Sequence, residues 1–336
     1  MDRRGICTAG NLIADITYHI DRYPARGELT TVLGPREDSA GGLASNTTLS
    51  LAMLAPELPI FVSGRIGDDA EGRFILSKFT EHGNINTKGI IKGGITSYTL
   101  VLMDRESKER TFFVGRNADA GFDVSDVDFA AIPAKIFHAG YILLLDTMDS
   151  EDKEYGTRMA RLLHLAQEQG MRTSIDVVSE TGDRFKNLVP PAMKYADYCI
   201  INEYEAGKTT GIPLREEGGR LIAENMPAAL HKMRGFGVST WAVIHCPEGA
   251  YGLDEAGEFV SLPCLKLPPG FIKGTTGAGD AFAAGVLYGA HEDWPLNDAL
   301  RLGIASAACS LHGEDSYCGV RPAKEAMKVY WELGGA

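Results

Sequence analysis

Apolar residues along the chain fall into two kinds of segment that alternate. Short runs rich in Val, Ile, Leu and Phe are typical of buried strands, and longer stretches with apolar residues every three or four positions are typical of helices. Strands are predicted within residues 6–11, 59–67, 135–145, 172–178, 197–202 and 240–246, and the clearest helices cover 70–83 and 153–170. This alternation predicts an α/β fold with a mostly parallel sheet covered by helices.

Two segments interrupt the alternation, because they carry strand signals with no helix between them. They cover about residues 16–40 and 95–115, and the polar stretch DRESKER in the second, between YTLVLM and TFFV, predicts a hairpin turn. We expect the two segments to form a small β-sheet lid on the main α/β body. A further hairpin is predicted at 250–263, and residues 1–336 are expected to form a single domain.

The composition narrows the class of protein. Of 336 residues, 44% are hydrophobic and 23% are charged, as in ordinary globular proteins, and the net charge of −12 disfavours nucleic-acid binding. The N-terminus lacks the apolar stretch of a signal peptide, and no run approaches the ~20 apolar residues of a membrane helix. The six cysteines are irregularly spaced without a CxxC pair, which disfavours a zinc site or disulfide framework, so we expect a cytoplasmic protein without membrane or nucleic-acid partners.

The segment at 274–282, GTTGAGDAF, places one carboxylate between a glycine-rich loop and the apolar stretch AFAAGVLYGA. A helix N-terminus presents unpaired N–H groups and partial positive charge, and the small residues Gly277, Ala278 and Gly279 leave room there for an anion. Asp280 in the first helical turn suits a base that accepts a hydroxyl proton during phosphoryl transfer. Helix capping explains a lone aspartate equally well, so the residues alone leave both interpretations open.

Two segments near the N-terminus suggest contacts with a hydroxylated ligand. In AGGLASN, the paired glycines Gly41 and Gly42 permit close approach of the backbone, and the amide of Asn46 both donates and accepts hydrogen bonds. Asp15 in GNLIAD lies just beyond the first predicted strand. An ordinary glycine turn before a helix and a turn aspartate are the alternatives.

Two further segments follow predicted strands. In INEYEAGK, Asn202 ends a strand and Glu205 lies three residues later, at an edge where open α/β sheets bind ligands, so Glu205 can hold Mg²⁺ through water. A strand end followed by a helix with acidic residues in its first turn is the alternative. In HCPEGAYG, Gly249 and Gly252 leave room for a nucleotide, although a hairpin explains them equally well.

Taken together, these segments resemble the ribokinase-like (PfkB-type) carbohydrate kinases. The matching pieces occur in the family's order, from residue 10 to residue 285: GNLIAD, AGGLASN, GRIGDDAEG, INEYEAGKTTG, PEGAYG and TTGAGDAFAAG. The resemblance implies a three-layer α/β/α sandwich with a β lid over the sugar. It also implies transfer of the γ-phosphate of ATP to a sugar hydroxyl, with Mg²⁺ as cofactor and a homodimer formed through the lid.

The resemblance also implies roles for individual residues. Asp280 looks like the base, and Gly277, Ala278 and Gly279 look like the anion hole. The residues that resemble nucleotide and Mg–phosphate contacts are Asn202, Glu205, Gly249, Gly252 and Thr276, and those that resemble or suit substrate contacts are Asp15, Gly41, Gly42, Asn46 and Arg116.

Three positions depart from the family pattern. Gly274, preceded by Lys273, replaces an aspartate that helps to bind an activating monovalent cation, which weakens the case for such a cation. Leu43 stands where ribokinases often have lysine, and Pro247 replaces a common nucleotide-contacting threonine.

The acceptor stays open at this stage. A sugar kinase is the first hypothesis, a nucleoside kinase is the second, and a non-catalytic sugar or nucleotide sensor is the third. For the second, Tyr18 and Tyr23 suit stacking on a base, and packing within the lid explains them equally well. A phosphorylated or acidic sugar is also conceivable, because arginine suits phosphate and carboxylate. Arginines in or beside the lid segments are Arg22, Arg26, Arg36 and Arg116.

Overall fold

The computed structural model describes residues 3–107, 109–313 and 315–336. The predicted DRESKER turn includes a position outside the described residues. The predicted single domain over 1–336 also includes such positions, and it stays a prediction. The strands are β1 (Ile6–Gly10), β2 (Ile13–Ile20), β3 (Glu37–Gly41), β4 (Ile60–Ile66), β5 (Ile85–Lys92), β6 (Ser97–Asp104), β7 (Arg110–Gly115), β8 (Ile136–Ile142), β9 (Glu151–Asp152), β10 (Gly156–Thr157), β11 (Arg172–Val177), β12 (Tyr198–Asn202), β13 (Trp241–Cys246), β14 (Gly249–Leu253) and β15 (Phe259–Pro263). The α-helices are α1 (Leu43–Leu54), α2 (Ala70–Thr80), α3 (Arg158–Glu168), α4 (Phe185–Met193), α5 (Glu203–Thr210), α6 (Met226–Phe236), α7 (Ala278–His291), α8 (Leu296–Leu311) and α9 (Ala323–Glu332).

Within the described residues, nine strands form the central sheet in the order β15-β14-β13-β12-β11-β8-β1-β4-β5. Neighbours from β13 to β5 run parallel, whereas β13, β14 and β15 are joined by antiparallel hairpins. The predicted fold class is therefore confirmed, including the hairpin predicted at 250–263.

Helices cover both faces of the central sheet. Alternate residues of β1 point to opposite faces, so that Ile6 packs with α1, α7, α8 and α9 while Cys7 packs with α3, α4, α5 and α6. The long apolar stretch after Asp280 is explained by α7, which is buried between the sheet and α8. A Cβ on Gly285 of α7 would lie 2.7 Å from the Cα of Gly303 in α8, so glycine is required at this crossing.

The helix predicted at 153–170 begins later than expected, at Arg158. Gly156 and Thr157 pair instead with Asp152 and Glu151 in a short antiparallel ladder. The hydroxyl of Thr157 then accepts a hydrogen bond from the Ala160 N–H, which caps the first turn of α3.

The smaller sheet has the order β3-β2-β6-β7 in the part of the chain that the structure describes. This sheet corresponds to the predicted lid. Its strand β2 begins at Ile13, three residues before the predicted lid segment, so Asp15 lies on a lid strand and not in a turn. Most of the segment between Ile20 and Glu37 is loop. None of the helices formed by described residues is long and apolar enough to cross a membrane.

Candidate active site

The loop before α7 brings backbone N–H groups to the carboxyl edge of the central sheet. Gly277 is the residue that precedes α7, with φ of +77°, a conformation that favours glycine. A Cβ at this position would lie 2.7 Å from the Cα of Ser316, so the loop also packs too closely for a side chain. The N–H groups of the first helical turn, which include those of Gly279 and Asp280, lack intrahelical acceptors and are therefore available to an anion.

The Asp280 carboxylate does not cap α7. It is only 5% exposed and accepts hydrogen bonds from three side chains on two other elements, β8 and α1. The Tyr141 hydroxyl lies 2.7 Å and 2.8 Å from its two oxygens, Asn46 Nδ2 lies 3.0 Å from Oδ2, and Thr47 Oγ1 lies 3.5 Å from Oδ1. Burial raises the pKa of Asp280 to about 6, while these donors lower it and the charge of Asp15 raises it further. The geometry is therefore not that of the capping alternative.

Of the predicted substrate residues, Asn46 bonds this carboxylate directly and Asp15 lies near enough for its charge to raise the pKa of Asp280. Asn46 in α1 joins Asp280 and accepts a hydrogen bond from Ser316 Oγ at 2.8 Å. Asp15 lies against Gly41, where a Cβ would come within 2.7 Å of its carboxyl carbon, and burial raises the pKa of Asp15 to about 6. Gly42, with φ of +81°, precedes α1 and would place a Cβ 2.6 Å from the carbonyl oxygen of Asn11.

On the other side of the α7 N-terminus lies a cavity of about 590 Å³. Among the predicted residues, Asn202, Gly249, Ala278 and Gly279 line it. The remainder of its wall is largely apolar, with contributions from the end of β13, from the loop after β15 and from α8. Such a cavity suits the flat base of a nucleotide, with the phosphates directed towards α7.

Two predicted nucleotide contacts lie elsewhere. Gly252 packs against α8, where a Cβ would lie 2.8 Å from Leu296 Cδ2, and it does not line the cavity. Thr276 also lies outside the lining residues, and its hydroxyl accepts a hydrogen bond of 3.2 Å from Arg110 Nη1 on lid strand β7.

Asn202 and Glu205 form a capping box at the start of α5. Glu205 Oε2 accepts from the Asn202 N–H at 2.9 Å, and Oε1 accepts from Asn202 Nδ2 and Ser179 Oγ, both at 2.8 Å. Burial raises the pKa of Glu205 to about 7. The described residues contain no group of three or more His, Cys, Asp or Glu side chains able to hold a metal ion directly. Because the Glu205 oxygens are already hydrogen-bonded, the donor set fits a hydrated Mg²⁺ held mainly by nucleotide phosphates.

Three of the arginines in or beside the lid segments are engaged with acids. Arg116 Nη1 lies 2.5 Å from Asp146 Oδ1, and Arg22 Nη1 lies 3.0 Å from Glu28 Oε2. Arg36 pairs with Asp38 and, at 2.9 Å, with Glu71. These three arginines would have to leave a carboxylate before binding an anionic substrate.

Sequence reasoning missed Tyr141, which reaches Asp280 from the end of β8. Its backbone N–H donates to Asn11 Oδ1 at 2.8 Å, and Asn11 Nδ2 donates to Asp119 Oδ2 at 2.8 Å. The one available signal was position, since Tyr141 lies at the carboxyl edge of a parallel strand, where such sheets bind ligands. The apolar context of HAGYILLL instead suggests a core residue.

Three features define a kinase of the ribokinase-like class: the three-layer α/β/α sandwich, the small β-sheet lid, and the aspartate in the first turn of a helix that follows a glycine-rich loop. The pfkB family carbohydrate kinase model matches residues 6–318. The chain therefore belongs to the pfkB family of carbohydrate kinases and is an ATP-dependent sugar kinase, as the motifs predicted.

Individual relatives agree with this assignment. The chain is 26% identical over 329 residues to an ATP-dependent ribose-1-phosphate kinase of Halopiger xanaduensis, with 96% of each chain covered. It is 27% identical over 249 residues to a sugar kinase of Archaeoglobus fulgidus, covering 73% of this chain and 88% of the relative. Its fold is similar to that of Arabidopsis thaliana ribokinase complexed with ribose and ATP, with a TM-score of 0.78, 19% identity, and 97% and 98% of the two chains covered.

Proposed function

We propose that the protein transfers the γ-phosphoryl group of ATP to a hydroxyl of a small sugar or sugar-like polyol, with Asp280 as the base. The observation that carries this proposal is the buried Asp280 carboxylate at the N-terminus of α7. Its helical neighbours line the nucleotide-sized cavity, and its partner Asn46 belongs to the predicted substrate residues on the other side.

In the proposed reaction, the acceptor lies beneath the lid beside Asp15 and Asn46. Its hydroxyl gives a proton to Asp280 while the oxygen bonds to the γ-phosphorus and the bond to the bridging oxygen breaks, which releases ADP. The anion hole of Gly277, Ala278 and Gly279 and the α7 dipole stabilise the transferring group. Mg²⁺ bound with ATP neutralises phosphate charge, and Asn202 and Glu205 would hold it through water. Gly274 stands at the position of the usual cation-binding aspartate, which weakens the case for an activating monovalent cation.

The raised pKa of Asp280 sets the expected pH dependence. A carboxyl with a pKa of about 6 is mostly ionised at pH 7 to 8 and accepts a proton there. As the pH falls through 6 the base becomes protonated, so kcat/KM should fall on the acidic side. Asp15, whose pKa is also about 6, contributes to the same limb if it binds the acceptor.

The test is ADP release measured with a panel of sugars, sugar acids, sugar phosphates and nucleosides, followed by substitution of the base. Asp280→Asn should lower kcat about 10²- to 10⁴-fold with an unchanged circular dichroism spectrum. Asp298→Asn is the control, because Asp298 lies on α8 and its carboxylate accepts a hydrogen bond from Arg301 on the same helix. Activity of Asp280→Asn within tenfold of the wild type would exclude Asp280 as the base. Ligand-induced thermal stabilisation without ADP release for any compound would favour the sensor hypothesis.

A nucleoside acceptor is the second candidate, and one feature of the lid favours it. In the lid register, Asp15 lies opposite Thr99 and Thr99 lies opposite Val114, so Val114 and Phe112 share the face that carries Asp15. Their side chains are 52% and 58% exposed, which offers an apolar surface on the substrate side. Tyr18 lies on the opposite face of the sheet and does not supply the predicted stacking surface.

Substitution of this surface separates the two acceptor classes. Phe112→Ala should lower kcat/KM about tenfold for a nucleoside, because base–aromatic contacts contribute roughly 1–3 kcal/mol, and should leave a free sugar within twofold. Phe259→Ala is the matched control, since Phe259 is an exposed phenylalanine on β15 of the central sheet, away from the lid. Equal effects on both acceptor classes would exclude stacking on Phe112.

We also propose a homodimer through the outer face of the lid and a cytoplasmic location. Ile16, Leu100 and Phe113 lie side by side in the register on that outer face, and Phe113 is 47% exposed. Light scattering after size exclusion should give twice the monomer mass, and Phe113→Glu should give the monomer mass. The buried thiols such as Cys7 and Cys199 suit a reducing compartment, and subcellular fractionation tests the location.

A further inference from the structure

Tyr141 contacts both oxygens of the proposed base. The distances of 2.7 Å and 2.8 Å from its hydroxyl to Oδ1 and Oδ2 of Asp280 place the phenol symmetrically across the carboxylate. Asn46 Nδ2 reaches the same carboxylate from α1, at 3.0 Å from Oδ2. Rotation of the carboxylate about its Cβ–Cγ bond would break these hydrogen bonds, so its plane is held.

Tyr141 is itself held by a buried chain of hydrogen bonds that begins in the lid. Ser97, the first residue of β6, donates its hydroxyl proton to Asp119, and Asn11 donates to the other oxygen of Asp119 at 2.8 Å. The Asn11 side-chain oxygen then accepts the Tyr141 N–H at 2.8 Å. Ser97, Asn11 and Asp119 are each 3% exposed or less, so little water competes with these bonds.

We propose that Tyr141 is a positioning residue for phosphoryl transfer, whose hydroxyl holds the Asp280 carboxylate in the orientation that receives the acceptor proton. This inference rests on the proposed role of Asp280 as the base. Orientation matters because a carboxylate that turns away from the acceptor hydroxyl loses the near-attack geometry on which the rate depends.

The charges around Asp280 give the hydroxyl a second effect. Asp15 on β2, Asp176 on β11 and Glu205 on α5 surround the Tyr141–Asp280 pair with negative charge. Burial and the charge of Asp15 disfavour ionisation of Asp280, whereas the hydrogen bond from Tyr141 favours it and lowers the pKa. The same surroundings raise the pKa of the Tyr141 phenol well above its usual value, so it keeps its proton and remains a donor.

The test compares Tyr141→Phe with Tyr330→Phe. Tyr330 is a buried tyrosine whose hydroxyl makes a hydrogen bond of 2.8 Å to the Ala336 carbonyl, away from the site. In Tyr141→Phe, the acidic limb of kcat/KM should move up by about one pH unit, the expected effect of losing one hydrogen bond to a charged group. Near pH 6 such a shift leaves a smaller fraction of Asp280 ionised, which by itself lowers kcat/KM about fivefold relative to the wild type. The KM for the acceptor should stay within twofold of the wild-type value. Tyr330→Phe should match the wild-type profile.

A second measurement needs no acceptor. Carbon-13 NMR of aspartate-labelled protein, assigned with Asp280→Asn, gives the titration midpoint of Asp280 itself. It should rise in Tyr141→Phe and fall when 3-fluorotyrosine, a more acidic and stronger donor, is incorporated at position 141. Failure of the wild type to phosphorylate any acceptor would contradict the proposed function and leave this titration as the test of Tyr141. Superimposable pH profiles and equal midpoints in an active enzyme would overturn the role of Tyr141 alone.

Discussion

Gly277 is the position where the fold and the proposed chemistry depend most directly on a missing side chain. In Gly277→Ala the new Cβ would lie 2.7 Å from the Cα of Ser316 and closer still to its carbonyl oxygen, where ordinary contacts are 3.4–4 Å. The backbone there has φ of +77°, which costs a non-glycine residue about 1–2 kcal/mol. Relieving the overlap adds about 1–3 kcal/mol, as in other overpacked sites. We therefore expect a loss of about 2–5 kcal/mol in the free energy of unfolding.

Gly334→Ala separates the two contributions. Gly334 has the same φ of +77°, but a Cβ there would meet no atom within 4 Å. This control should lose only the conformational part, about 1–2 kcal/mol. Urea denaturation followed by circular dichroism measures both variants against the wild type.

Activity provides the second assay of Gly277→Ala. Moving the loop by about 1 Å displaces the N–H groups that bind the transferring phosphoryl group, and misplacement of that size costs about 10²-fold in kcat. Gly334→Ala should keep wild-type kcat. If Gly277→Ala loses no more stability than Gly334→Ala and keeps kcat within threefold, then the close packing against Ser316 and the anion-hole role of this loop are both refuted.

Three further predictions follow from the charged groups of the site. The folded-state pKa of Asp280, about 6, lies above its usual 3.8, so its ionisation destabilises the fold increasingly as the pH rises from about 4 to 6. Asp280→Asn should therefore have a free energy of unfolding about 2–3 kcal/mol larger than that of the wild type at pH 8. In calorimetry this variant should unfold at a higher temperature, and the difference should shrink towards pH 4. Arg110→Ala removes the hydrogen bond between the lid and Thr276 and should lower kcat/KM about threefold to tenfold in steady-state kinetics. Glu205→Gln should raise the Mg²⁺ concentration required for half-maximal activity at fixed ATP in steady-state kinetics, because Glu205 would hold the hydrated ion.

The sequence was most informative where local chemistry determines structure. Glycines around Asp280, and polar residues just after predicted strands, follow from the general geometry of helix N-termini and parallel sheets. The partners of Asp280 could not be predicted in this way, because Tyr141 and Asn46 are 139 and 234 residues away in the chain. Only the order of strands and the packing of α1 against α7 bring them together.

Some differences between expectation and structure arise because side chains alternate between the two faces of a strand. This alternation can be read from the sequence once the strand is recognised. Gly249 and Gly252 are three residues apart on β14, and successive residues of a strand face opposite sides, so only one of the two can face the cavity. The same spacing separates Asp15 from Tyr18 on β2, which excludes Tyr18 from the substrate face that carries Asp15. Applying the two-residue period after recognising each hairpin would have removed both residues from the candidate list.

The acidic character of the site bears on how ATP binds. Asp15, Asp176, Glu205 and Asp280 all lie near the carboxyl edge of the sheet, and burial raises the pKa of each. A nucleotide brings several negative charges to the same place, whereas the α7 N-terminus offers about half a unit of positive charge and Arg110, which bonds Thr276 in the loop before α7, adds one unit. The lid arginines Arg22, Arg36 and Arg116 are paired with acids and do not make up the difference. ATP should therefore bind more weakly without Mg²⁺, and increasingly so as the pH rises from 6 to 8 and Glu205 ionises. Isothermal titration calorimetry with and without Mg²⁺ at both pH values measures this, and equal affinities in all four conditions would show that repulsion by these carboxylates does not govern nucleotide binding.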